Sequence, residues 1–271
     1  MIPFSAAYPA CPPKPSIQVL RQKLALLEQG PGFAGHEDAL ALNISAIDAA
    51  LAGGLARPAV HEISARCEAH NAAATRFASG LAGILLERSR SKAAIWVAQD
   101  LALFEHGTPY APGLVDAGIA PEWLTTVVAP RRADVLWAME EALRCRAIGV
   151  VIAELGTQPL DHVAARRLSL AAVAGTTLGL ILRAKPDEAP CACATRWIIS
   201  SAPAGVSAEN EEKFRGIGPP RLCVQLVRNH RGHPGAWLVE WNSVEQRFEL
   251  ATHSLPMGQS AIDRPPHAAV A

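Results

Sequence analysis

The most constraining feature of this sequence is a regular alternation between short apolar runs and longer amphipathic segments across residues 59–182. The apolar runs are nearly continuous, as expected of strands that are buried on both faces. The segments between them repeat apolar residues at the three- and four-residue spacing of helices. Strands that alternate with helices of ten or more residues predict an α/β fold with a mostly parallel sheet and helices on both of its faces.

Breaks in this alternation divide the chain into three parts. Residues 1–36 combine a proline-rich start with one predicted helix over 16–28, an N-terminal helical arm. Residues 37–205 contain the α/β core. Residues 206–271 begin with a polar loop, continue with three short runs that predict a small antiparallel β element, and end in a tail predicted to be flexible.

Charge and composition narrow the function classes. The 25 basic and 25 acidic side chains give a formal net charge of zero, so any contact with nucleic acid or an acidic membrane must be local. The N-terminus lacks the basic and apolar regions of a signal peptide, and no stretch approaches about eighteen uninterrupted apolar residues. These observations predict a cytoplasmic protein without a membrane segment.

The six cysteines give no metal-binding pattern. Cys191 and Cys193 lie two positions apart, whereas a zinc site normally combines C-x2-C pairs, or one pair with histidines, at matched spacing. We therefore predict reduced, mostly buried thiols and no metal site.

The loop after the first strand of the alternation is where a nucleotide-binding protein would hold phosphates. A G-x-x-x-x-G-K-[ST] loop wraps the phosphates with backbone N–H groups, neutralises them with its lysine and holds magnesium with its hydroxyl. Counted from a strand ending at Ile63, this frame covers residues 65–72, ARCEAHNA. Its two glycines, lysine and hydroxyl residue are replaced, in that order, by Ala65, His70, Asn71 and Ala72. Glu68 adds a negative charge, so we predict no nucleotide cofactor and no catalytic residue.

Five segments in a fixed order carry a family resemblance. They are IDAALAGGLARPAVHEI, YAPGLVDAGI, RRADVLWAMEEALRCRAIGVVIAEL, ATRWIISSAPAG and VQLVRNHRGHPGAWLVEW. The first resembles the lead-in to the nucleotide loop of RecA-type recombinases, and the set as a whole resembles the ImuA family more closely. The resemblance covers about residues 40–250 and implies a RecA-like core without a working ATP site.

The resemblance also implies a cellular role. It points to a non-catalytic accessory protein of damage-inducible translesion DNA synthesis, within the SOS response. The implied partners are ImuB, a catalytically inactive relative of Y-family polymerases, and an error-prone replicative-type DNA polymerase. RecA itself is a further candidate partner, and DNA contact is expected to be weak or indirect.

The remaining catalytic positions of a RecA-type ATPase are only partly kept. The glutamate that activates water stands just past the second core strand, where this chain has Gln99, whose amide accepts no proton, followed by Asp100. Glu154 follows the strand that carries the magnesium-side carboxylate. Two interpretations of Glu154 stay open, a remnant of the site and an ordinary carboxylate at a strand end.

Basic and aromatic residues are the candidates for contact with a partner or DNA. They are Arg131, Arg132, Arg228, Arg231, Trp237 and Trp241. The first two open a helix, where the dipole does not favour arginine. The others lie on a turn and on one face of the strand that follows it. The combination suits single-stranded DNA or a protein interface, and core tryptophans beside a solvated turn fit equally well.

Two alternative functions remain. A SulA-like inhibitor, which blocks the division protein FtsZ, resembles the same core without a nucleotide site, although such inhibitors are shorter. A divergent RecA-like ATPase is the other alternative. Neighbouring polymerase genes would favour the damage-bypass interpretation.

Overall fold

The computed structural model describes residues 39–189, 192–204 and 219–251. The predicted helical arm at 16–28 and the predicted tail lie outside these residues. Nine strands form one sheet in the order β3-β2-β4-β5-β1-β6-β7-β8-β9. The strands are β1 (Ala59–Ala65), β2 (Ala93–Gln99), β3 (Leu124–Ala129), β4 (Ile148–Glu154), β5 (Leu178–Arg183), β6 (Thr195–Ala202), β7 (Arg221–Asn229), β8 (Gly235–Asn242) and β9 (Arg247–Leu250).

The first six strands are parallel, and β7, β8 and β9 continue the sheet as antiparallel neighbours. The helices are α1 (Ser45–Ala50), α2 (Asn71–Arg88), α3 (Asp100–His106), α4 (Ala111–Asp116), α5 (Arg132–Arg144) and α6 (His162–Gly175). This arrangement confirms the predicted α/β class, with its mostly parallel sheet and C-terminal antiparallel strands, and it is consistent with a RecA-like fold.

Two hydrophobic layers cover the sheet. One contains α2 and the inward side chains of β7 to β9, and the other contains α5 and α6. Small residues along α2 allow close packing: a Cβ added to Gly83 would stand 1.8 Å from the carbonyl oxygen of Ala117. The central helix therefore lies almost against the backbone that follows α4.

The structure differs from the sequence expectations in three places. Strand β1 runs two residues past Ile63, because Ala65 still pairs with Ile199 of β6. The glycines and prolines of residues 101–118 predict a loop with one helix at its end, whereas the structure has two short helices there, α3 and α4. Among the described cysteines, Cys67 and Cys145 are exposed, so the prediction of mostly buried thiols is wrong for these two.

Within the described ranges, none of the helices has the length and apolarity needed to cross a membrane.

Candidate functional site

A cleft of about 700 Å³ opens at the carboxyl ends of β4 and β5, beside the first turns of α2. The chain from α3 to α4 closes the cleft on the side away from the strand ends and α2. Its charged and aromatic lining includes Glu68, Arg76, His106, Tyr110, Glu154 and Arg183. Open α/β sheets bind ligands outside the carboxyl ends of their parallel strands, so this cleft occupies the position expected of a ligand site.

The loop that replaces a phosphate loop forms one wall of this cleft. A single turn of 3-10 helix, Glu68–His70, fills the space between β1 and α2. The backbone N–H of Arg66 donates to the carbonyl of Ile199 at 2.8 Å, and that of His70 donates to Cys67 at 2.9 Å. These two N–H groups therefore bond to the protein itself.

The side chain of His70 in this loop also bonds within the protein. The His70 Nδ1 atom accepts the N–H of Ser201 at 3.2 Å and lies 2.9 Å from its hydroxyl oxygen. Ala65 is buried within β1, whereas Asn71 and Ala72 line the cleft at the start of α2. Glu68 is the exposed acidic side chain of this wall.

Glu154 lies at the base of the cleft, at the end of β4. The buried Trp96 donates its indole N–H to Oε1 of Glu154 at 2.7 Å. Burial raises the pKa of the Glu154 carboxyl above its usual range, while the indole hydrogen bond and the nearby His106 oppose this shift. Among the described residues, no lysine, arginine or histidine forms an ion pair with this carboxylate.

The residues at the end of β2 take other roles. Gln99 is half-buried as the last residue of the strand. Asp100 accepts the backbone N–H of Leu101 at 2.7 Å, at the first turn of α3. One oxygen of its carboxylate is therefore bonded to the backbone of a helix that the sequence did not predict.

The two arginines of the cleft are neutralised by neighbouring acids. Arg76 forms an ion pair with Asp116, and its guanidinium lies 4.7 Å from the ring centre of Trp241. Arg183 lies 3.0 Å from Asp187 and 3.2 Å from Glu62. Neither guanidinium is available as an uncompensated cation for an anionic ligand.

Arg183 belongs to a buried group that we term the β1 polar cluster. Its members are His61, Glu62, Arg183, Thr195 and Arg196. Arg196 contacts the second oxygen of Glu62 at 2.9 Å, so this carboxylate lies between two guanidinium groups. On the opposite face of β1, burial lowers the pKa of His61 to about 4. Sequence reasoning missed this cluster, because the strand pattern shows only that His61 and Glu62 interrupt an apolar run.

Two curated relatives, both described as "Protein ImuA", match the chain; they come from Caulobacter vibrioides strains NA1000 / CB15N and ATCC 19089 / CIP 103742 / CB 15. Each is 30% identical over 200 residues, covering 69% of this chain and 77% of the relative. The chain belongs to the ImuA family. No family model matches it. Family membership confirms the resemblance seen in the five sequence segments.

The basic and aromatic candidates of this ImuA-family chain do not form one surface. Arg131 is exposed and pairs with Asp134 at 2.9 Å. Arg132 donates to the carbonyl of Pro159 at 2.7 Å and to the side chain of Gln158 at 3.1 Å, which ties α5 to the following loop. Both residues open α5, which packs on the opposite face of the sheet from the two candidate tryptophans.

The two tryptophans belong to the core. Trp241 is only 1% exposed, and its indole N–H donates to the Asp116 carbonyl at 3.0 Å. Trp237 is half-buried, with its ring 6.4 Å from that of Trp197. Trp241 is therefore excluded as a surface contact, because packing and its hydrogen bond occupy it. Arg228 is exposed near the end of β7 and not on the predicted turn, whereas Arg231 is half-buried on the turn before β8.

In the part of the chain that the structure describes, no three His, Cys, Asp or Glu side chains come together to hold a metal ion.

Proposed function

We propose that this chain is a non-catalytic, RecA-like adaptor of damage-inducible translesion DNA synthesis. Its proposed partners are an ImuB-like inactive Y-family polymerase and an error-prone replicative-type polymerase, with RecA as a further candidate. Membership of the ImuA family supports involvement in damage-inducible mutagenesis. The proposed role places the protein in the cytoplasm, where any contact with DNA would be weak or mediated by the partners.

The observation that carries the non-catalytic part is the wall of the cleft between β1 and α2. A nucleotide brings several negative charges, which a phosphate loop offsets with a lysine and a set of free backbone N–H groups. Here Asn71 and Ala72 stand at the lysine and hydroxyl positions, and Glu68 faces the cleft. The N–H groups of Arg66 and His70 already donate to carbonyl oxygens. Together these features oppose the binding of Mg-ATP.

The positions of water activation and of magnesium binding support the same proposal. Gln99 ends β2 with an amide instead of a carboxylate. Glu154 accepts a hydrogen bond from Trp96, so one of its oxygens is used within the protein. A hydrolytic reaction would need both a general base and a metal-binding carboxylate here.

Calorimetric titration with ATP and Mg²⁺ tests the non-catalytic part. We expect no binding up to about millimolar ATP, with a RecA-type ATPase in the same buffer as the positive control. Binding in the micromolar range would contradict the proposal and favour the divergent ATPase.

Affinity purification of the tagged full chain from cells treated with a DNA-damaging agent tests the adaptor part. We expect the inactive Y-family relative and the replicative-type polymerase to co-purify, and not to do so with the tag alone. Recovery of FtsZ without either polymerase would favour the SulA-like alternative, which rests on the same core without a nucleotide loop.

A further inference from the structure

We propose that the cleft between α2, the α3–α4 segment and β4 binds an arginine side chain of a protein partner. The inference rests on the proposed adaptor role, to which it adds a docking site and the chemistry of the docked group. Nucleotide-binding proteins bind anionic phosphates at this position of the fold, whereas this cleft would bind a cationic group.

The first observation is the balance of charge around the cleft. The arginines of the lining, Arg76 and Arg183, are paired with acids outside it, which leaves His106 as the remaining basic side chain. The acidic side chains of the lining, Glu68 and Glu154, have no ion pair with any described residue. The start of α2 contributes only about half of a positive charge. Even a protonated His106 together with this half charge leaves the two carboxylates in excess, so the uncompensated charge of the cleft is negative.

The second observation is the state of Glu154. A carboxylate accepts about four hydrogen bonds, and the described residues supply one, from Trp96. Withdrawing a carboxylate from water costs free energy, and the raised pKa of Glu154 means that the Trp96 hydrogen bond and the nearby His106 do not offset that cost. A guanidinium inserted from solution would pair with this group and relieve the cost.

The third observation is the shape and lining of the cleft, which favour arginine over a simple ammonium. Alanine and leucine side chains, among them Ala72, Leu114 and Leu182, offer apolar contact for an aliphatic stem. The ring of Tyr110, 75% exposed, stands at the cleft wall, where a planar guanidinium stacks well. A volume of about 700 Å³ accommodates the side chain together with neighbouring residues of the partner.

A pair of small ligands tests the charge requirement on the full chain. N-acetyl-arginine methylamide carries the guanidinium, and N-acetyl-citrulline methylamide has almost the same shape without the charge. We expect a dissociation constant of about 1 mM for the arginine compound by calorimetry or ligand-observed NMR. The citrulline compound should bind at least about tenfold more weakly. Equal affinities, or no arginine binding at about 50 mM, would overturn the inference.

Matched variants test the residue assignment. Glu154→Gln removes the charge and keeps an acceptor for the Trp96 indole, so the fold should be retained, and we expect arginine affinity to fall at least about tenfold. Glu105→Gln removes an equal charge from an exposed position of α3 outside the lining, and the affinity should be unchanged. Unchanged affinity in Glu154→Gln would contradict the assignment. Ala72→Arg, which places a cation in the cleft without altering Glu154, should likewise weaken arginine binding.

Purification from damaged cells separates this inference from the adaptor proposal. If the wild-type chain recovers the two polymerases and Glu154→Gln recovers at least about tenfold less of one of them, the cleft is that partner's docking site. Equal recovery by both chains, with no preference for arginine over citrulline, would overturn the inference and leave the adaptor role standing. Arginine selectivity without polymerase recovery would overturn the adaptor role alone.

Discussion

Glu62 and Glu154 are two carboxylates withdrawn from water in the parallel part of the sheet, and they differ in the partners that the chain gives them. Glu62 is 0% exposed inside β1, with Arg183 at 3.2 Å from one oxygen and Arg196 at 2.9 Å from the other. Glu154, at the end of β4, has one indole donor at 2.7 Å and faces the open cleft. Both oxygens of Glu62 are paired within the chain, whereas Glu154 can still accept hydrogen bonds from a ligand.

The two arginines of the β1 polar cluster also use their other N–H groups within the protein. Arg183 also donates to the carbonyls of Thr157 and Gln158, and Arg196 donates to those of Asp187 and Ala189. A buried ion pair is tolerated when most of its remaining donors find partners, and here the Nε atom of Arg183 is buried without one. The cluster therefore ties three strands and two loops together, whereas the bond between Trp96 and Glu154 joins only two strands.

The largest predicted effect is the loss of stability when the charge of Glu62 is removed. Glu62→Gln leaves two buried guanidinium groups without their shared carboxylate, and we expect the free energy of unfolding to fall by about 3–5 kcal/mol. Urea unfolding at pH 7 measures the change. The same substitution at Glu154 should cost less than about 1 kcal/mol, because the Trp96 hydrogen bond is retained. Similar losses in the two variants would remove the distinction between the sites.

The second largest predicted effect is the pH dependence of stability caused by His61, on the other face of β1. Its Nε2 atom lies 2.9 Å from the Ala56 carbonyl, which only accepts, so Nε2 carries the proton. Nδ1 then accepts the hydroxyl of Thr195 at 2.7 Å, and that oxygen accepts the indole N–H of Trp197 at 2.8 Å. The neutral ring therefore has a partner at each nitrogen, whereas protonation of Nδ1 would force the Thr195 hydroxyl to turn its proton away from the ring.

Stability should consequently fall as the pH falls. A folded pKa of about 4 against 6.5 in the unfolded chain means that the unfolded state binds the extra proton first. The contribution of His61 is full above pH 6.5, and about 3 kcal/mol of it is lost by pH 4. Urea unfolding between pH 7 and pH 4.5 measures the slope, which His61→Gln should flatten. Equal slopes in the wild type and the variant would contradict the assignment.

Much of the fold was predictable from local pattern, and little of the β1 polar cluster was. The apolar runs and helical spacing predict the strands and the longer helices, because both depend on residues close in sequence. Glu62 finds its arginines 121 and 134 positions away, and no local pattern encodes that pairing. Helix α3 was also missed, since its seven residues are too few for a periodic signal and none is buried.

The cleft was predictable in part. The replaced positions of the loop and the carboxylate at Glu154 are visible in the sequence, because the strand–loop–helix order places them. The Trp96 hydrogen bond to Glu154 joins β2 to β4, so predicting it required the register of the sheet. The sequence left Trp241 open between a surface contact and the core, because alternation gives a shared face for the tryptophans but does not indicate which face is buried.

The smallest predicted effect concerns the pH dependence of Glu154, and it has the opposite sign to that of His61. Because its pKa is raised on folding, the folded state holds this proton more tightly than the unfolded chain does. The stability that Glu154 contributes is full below the unfolded pKa of about 4.5 and is lost as the pH rises through the folded value. Glu154→Gln has no proton to lose, so its stability relative to the wild type should improve between pH 4.5 and pH 7.

The arginine ligand sharpens this last prediction. A guanidinium beside Glu154 favours the ionised carboxylate, so saturating N-acetyl-arginine methylamide should stabilise the wild type more at pH 7 than at pH 4.5. The citrulline compound should produce no such difference. Wild type and Glu154→Gln are compared by urea unfolding at each pH, which cancels the larger slope of His61. Parallel pH curves for the two chains would mean that Glu154 is as fully compensated as Glu62, and the contrast between the sites would fail.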